Sequence, residues 1–116
     1  MALFEELKAL GVDIDGGLKR LAGNEALYTK LLGSFLKTVE KNAVTPDFDA
    51  ADCTETIEKA HAIKGTAGNL SITPLYESYS EILKLLRSGE TEEARTHLEE
   101  ILPQQEKIVS CIRNHT

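Results

Sequence analysis

Tryptophan is absent from this chain, proline is scarce, and cysteine occurs only twice. The apolar residues are mostly Leu, Ile and Ala, a composition that favours helices over strands. No apolar run approaches the roughly 18 residues that a membrane-crossing helix needs. The start, Met1-Ala2-Leu3-Phe4-Glu5-Glu6, lacks both the positive charge and the apolar stretch of a secretory signal. A cytoplasmic location is the resulting expectation. Basic residues are in the minority, 13 against 19 acidic ones, for a net charge of −6. Without a basic stripe to neutralise phosphates, nucleic acid is excluded as a partner. An anionic membrane surface gains nothing from such a charge either, so the expected partner is another protein.

The two cysteines, Cys53 and Cys111, stand far apart and show no metal-ligand spacing. They are expected as reduced, half-buried thiols. The histidines, His61, His97 and His115, are equally scattered, so no metal site is expected. His97 falls near the polar side of its helix, and His115 falls in a tail expected to fray. At 116 residues the chain makes one domain, 1–116, large enough for a single core. It shows no internal repeat, low-complexity tract or linker.

Helical periodicity runs through the rest. Leu3, Phe4, Leu7 and Leu10 predict a short helix stopping at Gly11. Ile14, Leu18 and Leu21 predict a second, ending at Gly23. Asn24 is an N-cap for a longer helix with Tyr28, Leu31, Leu32, Phe35 and Val39 on its apolar face. Thr45-Pro46 breaks it, because a residue before proline is pushed out of the helical region. A further helix starts between Asp49 and Thr54 and runs to about Leu70. Thr73 caps the next, with Pro74 in its first turn and Leu75, Tyr79, Ile82 and Leu86 inward, and Gly89 closes it. Thr91 caps the last, which Pro103 is expected to bend or split. Short loops between long amphipathic helices mean antiparallel neighbours. The expected fold is all-α: an up-down antiparallel four-helix bundle with one or two short N-terminal helices packed against it.

Within the helix before Leu70, two glycines stand three residues apart. Each costs about 1 kcal/mol relative to alanine in a helix interior, so something must need the room. With about 3.6 residues per turn, His61, Lys64, Gly65 and Gly68 fall on one narrow stripe. The stripe borders the apolar arc of Cys53, Ile57, Ala60, Ile63, Ala67 and Leu70. A histidine there is open to solvent yet backed by the core. A neutral imidazole is a competent nucleophile. It can hold a phosphoryl group on one ring nitrogen. Lys64, one turn on, supplies a cation beside the phosphoryl oxygens. Gly65 and Gly68 clear the path of an approaching donor. On this reading Gly68→Leu leaves the fold intact and blocks transfer. The sequence offers no carboxylate cluster for Mg²⁺ and no glycine-rich nucleotide loop. The chain is therefore read as a carrier of a phosphoryl group, not an enzyme with its own ATP or metal site.

The segment Ala60-His61-Ala62-Ile63-Lys64-Gly65-Thr66-Ala67-Gly68-Asn69-Leu70 closely resembles the signature of histidine-containing phosphotransfer domains. The resemblance extends to the Leu18-to-Phe35 segment, the Leu-rich helix ending in Ser88-Gly89-Glu90, and the overall length. Ser71 departs from the pattern, standing where that family often has glycine. The resemblance implies that His61 accepts a phosphoryl group from the aspartate of one response-regulator receiver domain and passes it to another. It implies Lys64 as the phosphate-neighbouring cation, and Gly65 and Gly68 as clearance positions. No cofactor of its own is implied, since Mg²⁺ belongs to the receiver. The implied partners are receiver domains and a histidine kinase or hybrid kinase, and the implied state is a monomer. Two alternatives share the fold. One is the substrate domain of a chemotaxis-type histidine kinase, again using His61. The other is an adaptor that binds receivers without being phosphorylated. Ser78 and Ser80 are the conceivable polar partners of the imidazole.

Overall fold

A computed structural model describes residues 2–115, which form six helices and no strand. They are α1 (Ala2–Ala9), α2 (Ile14–Arg20), α3 (Glu25–Lys41), α4 (Thr54–Asn69), α5 (Thr73–Arg87) and α6 (Thr91–Asn114). Leu3, Phe4 and Leu7 bury one face of α1, and the chain leaves it through Gly11 at φ +93°. Asp13 caps α2 by accepting from the Gly16 amide at 3.0 Å. Asn24 caps α3 in the same way, accepting from the Leu27 amide at 3.0 Å. Tyr28, Leu32, Phe35 and Val39 are buried along α3 as their spacing requires, with Leu31 half-buried. α4 begins inside the expected window.

Two expected caps move by one residue. Ile72 precedes α5 and Glu90 precedes α6, neither with a side-chain cap bond, so Thr73 and Thr91 are the first helical residues. The reason lies in the helix before each. Ser71 (φ +56°) and Gly89 (φ +83°) turn left-handed, and the chain reverses at once into the next helix. The Thr73 hydroxyl then donates to Ser71 O at 3.3 Å instead of capping. Pro103 does not split α6, which is continuous. It lies on the exposed face, where water can serve the carbonyl left without a donor.

α4 packs on α3 and α5, and α6 packs on the same two, so the four long helices touch in a closed cycle. α1 lies against α6 and α2 against α3. Two buried tyrosines stitch this core. The Tyr28 hydroxyl donates to Leu70 O at 2.6 Å, and the Tyr79 hydroxyl to Gln105 Oε1. The last turn of α6 does not stand apart as a tail, since His115 bonds the Glu6 carboxylate at 2.7 Å. That bond, with one from Cys111, holds Glu6 below the usual carboxylate range. Burial first, and Glu6 second, push the Cys111 thiol up to about 11. Both cysteines are free and half-buried. No helix among the described residues is long and apolar enough to cross a membrane.

Candidate functional site

α4 presents the glycine stripe along one edge. Ala60, Ile63 and Ala67 are fully buried and fix the rotation of the helix, which leaves His61 and Gly65 exposed and Lys64 and Gly68 half-buried. The helical repeat thus brings the four expected site residues together. Among the described residues the exposed His61 makes no hydrogen bond or ion pair. Ser80 donates to Tyr76 O at 2.7 Å, and Ser78 lines a groove with His97, Glu100 and Gln104. Neither serine is bonded to the imidazole.

Sequence reasoning missed Tyr76. Tyr76, a residue 42% exposed on α5, lays its ring over the floor of the stripe at Gly68. The Lys64 ammonium sits 5.7 Å from the ring centroid, inside the range of about 6 Å for a cation–π contact. A Cβ added at Gly68 would fall 2.7 Å from the ring. Gly68 is therefore not open ground: its missing side chain seats Tyr76, which in turn leans on Lys64. Gly65 has nothing within 4 Å of an added Cβ and is open. The available signal was Tyr76 itself, a large aromatic off the inward positions of its helix.

The end of α4 is held by the amino-terminal segment. Ile72 N donates to Ala67 O at 2.9 Å and Ser71 N to Gly68 O at 3.2 Å, a Schellman closure with Ser71 as its left-handed residue. The Arg20 guanidinium donates to Gly68 O, Asn69 O and Ser71 Oγ at 2.5, 3.2 and 2.9 Å. Asp13 N donates to Ser71 O at 2.9 Å. The serine that departs from the glycine pattern thus takes the glycine conformation and gains a bond to Arg20. Between these groups lies a concavity of about 630 Å³, lined by Arg20, Gly65, Gly68, Asn69, Ser71 and Tyr76 among others. It opens beside the stripe, one turn beyond His61.

His97, half-buried, lines a groove with the exposed Glu81, Glu93 and Glu100, and none of these belongs to the stripe. Comparison with known protein families, with curated proteins and with solved structures finds no match.

Proposed function

We propose that the chain is a histidine phosphotransfer domain of a phosphorelay, built on an up-down four-helix bundle, working in the cytoplasm as a monomer. The observation that carries this reading is the exposed, unbonded His61 imidazole, with Lys64 one turn on and open ground at Gly65. One ring nitrogen attacks the phosphorus of a receiver's aspartyl phosphate. A P–N bond forms as the acyl P–O bond breaks, and the aspartate leaves as a carboxylate. A second receiver takes the group by the reverse step. Lys64 offsets charge on the phosphoryl oxygens, and the receiver supplies Mg²⁺ and most of the catalysis.

The test is transfer from a phosphorylated receiver to wild type and to His61→Gln. Acid-labile, alkali-stable label on the wild type alone is the expected result. No label from several receivers overturns the carrier reading. Label from a kinase domain with ATP, and none from receivers, would instead identify a kinase substrate domain.

A further inference from the structure

α1 packs on α6, and a cluster outside the His61 stripe forms where they meet. Cys111 and His115 are four residues apart on α6 and its cap, the spacing that puts two side chains on one side of a helix. Glu6 faces them because α1 packs against α6. Its Oε2 lies 2.7 Å from His115 Nε2 and 3.4 Å from Cys111 Sγ. One donor atom from each of the three residues falls within 4.8 Å of the others. We propose that Glu6, Cys111 and His115 form a binding site for a borderline-soft divalent cation, zinc foremost, with a fourth position left to water.

The donor set selects the ion. A thiolate with an imidazole suits zinc and its neighbours, whereas magnesium and calcium take oxygen donors. Zinc holds sulfur at about 2.3 Å and nitrogen or oxygen at about 2.0–2.2 Å, which sets donor atoms about 3.3–3.6 Å apart around a tetrahedral ion. The Glu6–Cys111 separation of 3.4 Å already fits. Glu6 and His115 need to part by about half an ångström, and both side chains are exposed and able to rotate. The adjoining groove, lined by Ala9, Leu10, Ser110 and Asn114, leaves one side open to solvent. Glu6 lies 105 and 109 positions from Cys111 and His115 along the chain, and the fold removes that separation.

Binding replaces the Cys111 thiol proton with a sulfur–metal bond, and the proton leaves to solvent. His115 binds through Nε2 and keeps the proton on its other nitrogen. No oxidation state changes. The ion ties α1 to the last turn of α6, so metal binding is also stabilisation of the fold. The site shares no residue with the His61 stripe and does not depend on the phosphotransfer reading.

The full chain, freed of metal by chelation, is titrated with Zn²⁺ against a chromophoric chelator and with Co²⁺ under an absorption spectrometer. We expect one ion per chain, a thiolate-to-cobalt absorption band, and a rise in Tm with zinc. An excess of a hundred times Kd shifts the folding equilibrium about a hundredfold. Cys111→Ser and His115→Gln each weaken binding at least tenfold, Cys111→Ser also removes the thiolate band, and Cys53→Ser changes neither. Cys111 is only half-buried at the edge of the core and His115 is exposed, so circular dichroism should show both variants folded. No saturable one-to-one binding, affinity unchanged in Cys111→Ser, a band lost in Cys53→Ser, or an ion bridging two copies would each overturn the site. The three residues would then be a hydrogen-bonded tether only.

Discussion

Gly65 and Gly68 lack the same side chain and meet different surroundings: open space at one, the Tyr76 ring at the other. Gly65→Ala should therefore stabilise the protein by about 0.5–1 kcal/mol, the helix-propensity difference, measured by urea denaturation. Gly68→Ala should show no such gain, because its Cβ must push the Tyr76 ring aside. Gly68→Ala combined with Tyr76→Ala should recover the gain; failure to do so would separate Gly68 from Tyr76. The clearance test moves accordingly to Gly65→Leu, expected to fold and to transfer slowly. Lys64→Ala should slow transfer by about tenfold or less without abolishing it, since one half-exposed charge is worth about 1 kcal/mol of a barrier. Rapid-quench transfer rates, alongside unchanged circular dichroism, check this. Complete loss of label would give Lys64 a larger role.

At the scale of elements, α4 is a helix whose carboxyl end depends on another part of the chain. Tyr28→Phe leaves the buried Leu70 carbonyl without its donor and should cost about 1–3 kcal/mol in denaturant unfolding. A cost near zero would mean that water replaces the hydroxyl. Helix identities and inward faces were legible because apolar spacing and caps such as Asn24 are local signals. The stripe was legible for the same reason, since His61, Lys64, Gly65 and Gly68 share one helix. Tyr76 over Gly68, Arg20 on the α4 carbonyls, and Glu6 beside Cys111 and His115 were not. Each is a meeting of separate elements, and helical periodicity says nothing of what faces a helix. The misplaced Thr73 and Thr91 caps have a local cause, because a hydroxyl reads alike at the cap and one residue inside it. That Pro103 does not split α6 was not legible, because this depends on which face it occupies.

For the molecule as a whole, the two buried tyrosines set the alkaline limit. Burial first, and Asp13 second, push Tyr28 up to about 12 against the opposing charge of Arg20. Burial raises Tyr79 as well, against the bond to Gln105. In the unfolded chain tyrosines ionise near about 10. Below that pH the tyrosines keep the proton in both states, and the response comes from Cys111, whose thiol the fold holds up at about 11 against about 8.5 in the unfolded chain. Above it the unfolded state loses protons first, so stability should fall steadily from pH about 10 towards 12. Thermal melts at rising pH check this, and Tyr28→Phe should flatten the decline. A Tm unchanged up to pH about 11 would contradict it.

The clamp on α4 joins residues 42 to 51 positions apart in the chain. During synthesis Arg20 and Tyr28 leave the ribosome well before the carbonyls they serve. α1 waits longer still, because α6, against which it packs, is made after the other five helices. The newly made α1 therefore carries Leu3, Phe4 and Leu7 without their final cover until α6 has emerged, the interval in which a chaperone or a neighbouring chain can reach them.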